Sequence, residues 1–332
     1  MGIVFSKNGG LNDERWKPIG QVLQSVMMDT DTEKNKYDDF VKAVFNVKKS
    51  NKYAEKIGTV TSLANYSVVG EGEPAPVNDI QQGYSKLLEH VPFMNSFVCT
   101  REMKDDGDLD MMKTMASEMV KSFKRSVCDY ATKALVTEGE KFLYGNKSFD
   151  KTTGDGKALF AVDHSSKVSG VGNQKNVFTN AFGEDAKMLN RLANIGFNFK
   201  NQSGNVQGYT FDTIIIPSNC YALEDTIKRI IRSDLIVGSS NNDVNTQKGL
   251  WNLIVDPLWQ VESGAPYILM SSEANKALPG SLFYNRIELD VQNEIDFDTR
   301  NLKWNGYARL CAGFNDWRHV ILGGATTGYT LT

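Results

Sequence analysis

Three histidines, His90, His164 and His319, and four cysteines, Cys99, Cys128, Cys220 and Cys311, are all the chain offers for imidazole or thiol chemistry. His164 stands between Asp163 and Ser165, which invites reading it as a fragment of a catalytic triad. Triad members are brought together by the fold, however, and adjacent residues on a strand point to opposite faces. A structural hydrogen-bonding role is therefore expected for His164, with a general base as the alternative. His90 precedes Val91 and Pro92, and His319 follows Arg318; neither has a metal-ligating partner three or four residues further along the chain. The cysteines lack any short paired spacing, so no zinc site is expected. Asp105, Asp106, Asp108 and Asp110 look like the start of a calcium loop, but its twelfth position falls on Ala116, which has no side-chain oxygen. Helix capping accounts for these aspartates better.

Gly-rich phosphate loops and the Gly-x-Ser-x-Gly elbow are both missing from the sequence. Trp251, Trp259, Trp304 and Trp317 sit in or beside strand patterns and read as core or interface residues. Base stacking would need neighbouring cations, and only Trp304 (after Lys303) and Trp317 (before Arg318) come close. The search yields no catalytic, cofactor-binding or metal-binding residue and no cofactor. A soluble α+β enzyme with an unrecognised site stays open at this point, and a non-enzymatic role is expected only from family resemblance.

The elements that would position these residues are legible as periodicities. Ile19, Val22, Leu23, Val26 and Met27 repeat at helical spacing after Pro18, as do Phe40, Val41, Val44 and Phe45. With the polar residues around them they read as an arm that packs on something rather than as a core. Val60 to Val69 reads as extended, and Val91, Phe93, Phe97, Cys99 and Met103 alternate as in a strand. Between them GEGEPAPVND, residues 70–79, is too rich in Gly and Pro for helix. A long two-stranded excursion with a polar tip results. Such a ribbon is marginal alone and should lean on other surface, for which the same chain offers no obvious candidate.

A helix is expected from Asp108 to about Thr137, with Gly139 beyond its end. Met112, Met115, Met119, Phe123, Val127, Tyr130 and Ala134 form its apolar stripe. Lys113, Lys121, Lys124, Arg125 and Lys133 lie off the stripe, as a solvated surface or as contacts to a polyanion. Downstream, Phe211 to Ile216 reads as a strand stopped by Pro217, with Ser218 capping the helix of Leu223, Ile227, Ile230 and Ile231. Leu250 to Val255 and Tyr267 to Met270 read as the two strands of a ribbon. Residues 282–289, 307–311 and 320–322 are further strand candidates. Helices and strands that do not strictly alternate indicate an α+β fold.

With 332 residues, of which 41% are hydrophobic and 23% charged, the chain has the composition of a globular protein that needs no disulfide or metal staple. Its longest apolar run, Ala158 to Val162, excludes a membrane-spanning helix. The N-terminus MGIVFSKNGG lacks a secretory core, and no removed scaffold segment is expected ahead of it. A net charge of -3, from 37 basic and 40 acidic residues, argues against a dedicated nucleic-acid binder.

The order of arm, ribbon, long helix and mixed body resembles the major capsid protein of tailed phages, the Hong Kong 97 fold. The closer likeness is to the Mu-like major head subunit family. KALFAVDHSS, residues 157–166 after Gly156, is similar to that family's Gly-x-Ala-Leu-Phe…His-Ser signature. Residues 212–233 resemble its strand–Pro–Leu-Glu–helix segment through Ile215, Pro217, Leu223 and Glu224. Val255, Asp256, Pro257, Leu258 and Tyr267 resemble its paired strands, and Asp316, Trp317 and Arg318 its Asp-x-Arg element, ahead of Gly324 and Ala325. Tyr53, Ser62, Tyr66 and Gly70 fit the start of its extended loop. The likeness spans about residues 38 to 325, with CAGFNDW departing from the family's Asp-Phe-Gly.

The resemblance implies five segments: an N-terminal arm at 1–55, an E-loop at 56–104, a P-domain with the spine helix at 105–184, an A-domain at 185–280, and a return to the P-domain at 281–332. It implies a shell of pentamers and hexamers around packaged double-stranded DNA, contacted non-specifically. Scaffold and portal proteins are the further partners, with no membrane, in the virion after assembly in the host cytoplasm. An encapsulin-type compartment with the same fold is the nearer rival, and a tail-tube or baseplate component a more distant one. In related cross-linked capsids a loop lysine joins an asparagine of a neighbour; Lys86 lies in the corresponding region, and no cross-link is expected.

Overall fold

The computed structural model describes residues 2–8, 14–60, 66–77, 82–166, 172–183, 187–236, 243–328 and 330–331. In chain order its elements are β1 (Ile3–Asn8), α1 (Lys17–Thr32), α2 (Lys36–Val44), β2 (Asn46–Lys49), β3 (Ala54–Val60), β4 (Gln82–Glu89), β5 (Val91–Cys99) and α3 (Arg101–Asp105). There follow α4 (Leu109–Val136), β6 (Lys141–Tyr144), β7 (Lys147–Asp150), α5 (Lys187–Phe197), β8 (Thr213–Pro217) and α6 (Tyr221–Arg232). The chain ends with β9 (Asn252–Asp256), β10 (Tyr267–Met270), α7 (Ser272–Ala277), β11 (Ser281–Ile295), β12 (Leu302–Phe314) and β13 (Val320–Gly323). This is an α+β fold of two compact units. The first comprises Met1–Glu55, Leu88–Ala131 and Phe283–Ala312, and the second Lys56–Leu87, Thr132–Leu282 and Gly313–Thr332.

In the first unit β11 and β12 form the centre of a sheet ordered β1-β11-β12-β5, with β2 also on β11. Strand β1 runs parallel to β11 from Ile3↔Leu289, and β5 antiparallel to β12 from Leu302↔Cys99 to Leu310↔Val91. Alternation along β12 sends Leu302, Trp304, Ala308 and Leu310 inward, where they are buried. Leu302 and Trp304 enter a core that includes Met112, Ala116, Met119 and Val120 of α4. Leu23 and Met27 of α1 are wholly buried in the same cluster, so that helix is a core element and not a loosely applied arm.

Helix α4 has 28 residues, a rod of about 42 Å at 1.5 Å per residue. Gly139 lies just past its end with φ +84°, the left-handed conformation that glycine adopts without steric cost. Lys124 of α4 does not belong to a solvated face. It is buried, with its ammonium 3.5 Å from Asp31 and 3.6 Å from Asp38 and donating to the Asp31 carbonyl at 2.7 Å. A lysine at an interior position demanded acceptors, and the segment from α1 to α2 supplies them.

Strand pairing corrects the ribbon. Strand β5 joins the five-stranded sheet, and the two-stranded ribbon is β3 with β4. Met103, expected on the strand, lies in α3 instead, because Thr100 caps a helix there through the Met103 amide. Residues 61–65 of the expected extended stretch lie outside the described residues.

The second unit is built on a sheet ordered β13-β10-β8-β9. Strand β8 lies between β9, parallel to it, and β10, antiparallel to it. The expected β9–β10 ribbon therefore does not form; the apolar run of β8, buried at every residue, takes the central place. Helix α6 covers the sheet with Leu223, Ile227 and Ile230. Its N-cap is Cys220, and the Ser218 hydroxyl donates instead to the Trp259 carbonyl at 3.0 Å. The β6–β7 hairpin completes this unit.

Candidate functional site

Each histidine is held by the interior rather than presented to a substrate. His164 is wholly buried, with Nδ1 2.8 Å from Asp155 Oδ2 and Nε2 3.2 Å from Asn176 Oδ1. Its ring stacks on Trp317, with centroids 4.2 Å apart and planes 8° from parallel. Among the described residues neither nitrogen faces a hydroxyl or thiol that it could activate. Burial pulls the Asp155 carboxyl upward, but hydrogen bonds from His164 and Thr153 outweigh it and hold the group below its ordinary value. His319 is also wholly buried and faces the Ser281 hydroxyl at 2.8 Å; burial pushes it down to about 4.

His90 superficially completes a Ser–His–Glu set in the first unit, with Nε2 3.1 Å from Ser50 Oγ. The order is wrong for catalysis, because the Ser50 hydroxyl donates to Glu55 at 2.6 Å and the acid does not orient the imidazole. His90 Nδ1 is buried without a partner, and burial, reinforced by Arg286 and Arg309, pushes the ring below its ordinary value. The aspartates before α4 serve locally: Asp105 pairs with Arg101 at 3.2 Å and Asp110 with Lys113 at 3.2 Å. Among the described residues no group of three could hold a metal, and all four cysteines are free.

What the second unit does assemble is a buried polar knot from segments far apart in sequence. Asn176 donates to the carbonyls of Leu159 at 2.9 Å and Val320 at 3.2 Å, and accepts from the Ala161 amide at 3.0 Å. Arg318 pairs with Asp316 at 2.7 Å, donates to the Lys200 carbonyl at 2.8 Å, and lies 4.8 Å from the centre of the Trp317 ring. Phe199 meets that indole edge-on at 5.0 Å. The Asp-His-Ser and Asp-Trp-Arg motifs thus meet through the stacked His164 and Trp317. Asp155 and Asn176 were not singled out from the sequence; Asp155 between Gly154 and Gly156 marks a turn, and nothing local marks Asn176. The knot is a brace. Each hydrogen bond is worth about 1 kcal/mol while made and more when a buried partner is orphaned.

The ribbon is anchored in the same unit, contrary to the expectation that its own chain offers it no support. Lys86 of β4 is buried, 3.1 Å from Asp150 Oδ2, and donates to the Thr152 hydroxyl at 2.8 Å and to the Thr152 carbonyl. Burial pushes its ammonium below the ordinary value, against the attraction of Asp150. Tyr84 donates from its hydroxyl to the Ser165 carbonyl at 3.3 Å. Beyond this base the ribbon changes character: residues 66–77 are exposed at every position, with Tyr66, Val68 and Val77 open to solvent over essentially their whole surface.

A braced body with an anchored ribbon and an exposed apolar tip has the parts of a building block. The class is that of capsid shell subunits. The model of the phage capsid protein family matches residues 95–322, and the chain belongs to that family. Solved structures agree on the fold. A solved structure from Mycobacterium phage Patience is similar with a TM-score of 0.55 at 10% identity, covering 99% of this chain and 94% of that one. The capsid of the empty GTA particle gives 0.53 at 10% identity over 88% and 90%. The capsid of Myoviridae phage XM1 gives 0.52 at 9% identity over 85% and 90%. No curated protein matches the chain. The chain is a major capsid protein, a structural component of the phage virion, and is not an enzyme.

Proposed function

We propose that the subunit forms pentamers and hexamers that close around packaged double-stranded DNA, contacted non-specifically. Scaffold and portal proteins are its further partners, and assembly takes place in the host cytoplasm. In this reading the E-loop, expected at 56–104, is carried by the β3–β4 ribbon with β5 part of the body; 105–184 is the P-domain with its spine, 185–280 the A-domain at the capsomer centre, 281–332 the return, and 1–55 the arm, tied into the core through α1. The Mu-like likeness of residues 157–166 and 316–318 belongs to the same reading.

The observation that carries it is the tip of the ribbon. Tyr66, Val68 and Val77 are fully exposed although each would gain about 1.5–3 kcal/mol on burial. A segment so composed, on a base so firmly tied, is built to lie on a neighbouring copy. The contact is heterologous and closes into a ring by rotation, and several such contacts per subunit multiply by valency.

The test is expression of the full chain with Tyr66, Val68 and Val77 each replaced by serine, followed by electron microscopy and sedimentation. The expected result is shells from the unaltered chain and folded, non-assembling subunits from the variant. Normal yields of shells from the variant would overturn the reading.

A further inference from the structure

In the first unit a cavity of about 500 Å³ opens beside the turn between β11 and β12. Its wall carries Arg15, Arg101, Lys104 and Arg300, against the two carboxylates Asp296 and Asp298. In a chain of net charge -3 this is a local reversal of sign. Asp296 is an anion fixed by its own turn, accepting from the amides of Asp298 and Thr299 at 3.0 Å each, so the four cations outnumber the two carboxylates and the wall is net positive. Arg101 pairs with Asp105 at 3.2 Å, but both partners are well exposed, and such pairs are weak. Lys104 lies 5.0 Å from the centre of the Trp16 ring. Among the described residues neither Lys104 nor Arg300 has a carboxylate within ion-pair distance.

The turn itself is shaped for presentation. Phe297 at its apex is 94% exposed, and Arg300 holds φ +55°, a conformation that costs an ordinary residue energy and that glycine would adopt freely. Three guanidinium forks and an ammonium around one opening match phosphate oxygens, which arginine binds in pairs. Four cations along one wall suit a ligand that carries charge every few ångströms, as a nucleic-acid backbone does, better than a single carboxylate.

We propose that this cavity is a phosphate-binding site that grips the backbone of the nucleic acid enclosed by the shell. The inference rests on the reading that the shell encloses DNA. It is tested on unassembled full-length subunits titrated with a labelled 12-base-pair duplex over a range of salt. Replacing Lys104→Gln and Arg300→Gln together removes two phosphate contacts, so the slope of log affinity against log salt should fall by about 2. Lys113→Gln with Lys121→Gln, on α4 outside the cavity, should leave the slope unchanged. An unchanged slope in the Lys104/Arg300 variant would overturn the site. So would tripolyphosphate binding that the duplex fails to compete for, which would assign the cavity to a free phosphate. A peptide of residues 66–77, carrying Glu71 and Glu73, that binds where the duplex does not would make the cavity a protein interface instead. Electron microscopy of the same preparations separates the two levels: shells with an unchanged slope sink the site alone, and no shells from the unaltered chain sinks the capsid reading.

Discussion

The ammonium of Lys151 is wholly buried in the second unit, with the Thr137 carbonyl as its acceptor and Glu138 as its attracting charge, and replacing it by methionine is predicted to stabilise the fold. Burial pushes this lysine from its ordinary 10.5 down to about 8, which amounts to about 3 kcal/mol of unfavourable charge burial at neutral pH. Methionine fills nearly the same volume without the charge, and loss of the hydrogen bond to Thr137 returns about 1 kcal/mol. The net gain is about 2 kcal/mol at pH 7. The pH dependence follows from linkage. Between about 8 and 10.5 the unfolded chain holds the proton that the folded one has lost, so the unaltered protein gains stability as pH rises through that window. Below it the cost is present in full. Urea unfolding of subunits held unassembled, at pH 7 and pH 10, gives both quantities. A Lys151→Met variant that is less stable at pH 7, or that keeps the upward slope between pH 8 and 10, would refute the reasoning.

Other outcomes follow from the same interior. His319, pushed down to about 4 by burial, must stay neutral in the fold, so stability should fall by about 3 kcal/mol as pH drops from 6.5 to 4. Urea midpoints across that range check it, and a His319→Gln variant should lose the dependence. Asp155→Ala leaves the buried His164 Nδ1 without its partner and should cost about 2–4 kcal/mol at pH 7. Because the Asp155 carboxyl is held below its ordinary value, its contribution is lost only as pH falls through that depressed value, and the variant's acid unfolding curve should lack this component. At Gly280 an added Cβ would lie 2.5 Å from the His319 ring, so Gly280→Ala should cost about 3 kcal/mol or prevent soluble folding, read from expression yield and thermal midpoint.

Much of the fold was legible where the signal is local. The stripe from Met112 to Ala134 repeats over about six turns, and nothing else in the chain competes with it as helix. The strand β8 stood out because Ile214, Ile215 and Ile216 run into Pro217. Pairing was not legible, because it is decided at a distance: β5 finds β12 some 200 residues away, and alternation in residues 91–99 does not say which partner it serves. The same limit hid the fate of single lysines. Lys86 and Lys124 look like surface charges until Asp150, Asp31 and Asp38 are brought to them. At the knot, His164 and Trp317 were visible as motif residues, but Asn176, which meets the His164 ring and ties three backbone segments around it, is a residue that the sequence does not announce. The family likeness was readable despite this, since it rests on the order of motifs and not on their contacts.

The most direct measurement is a cryo-electron-microscopy reconstruction of the particles formed by the full chain, read at residues 66–77. Closed shells in which this segment lies against a second copy are the predicted result. A soluble, folded monomer with Tyr66, Val68 and Val77 packed against their own chain would contradict the account.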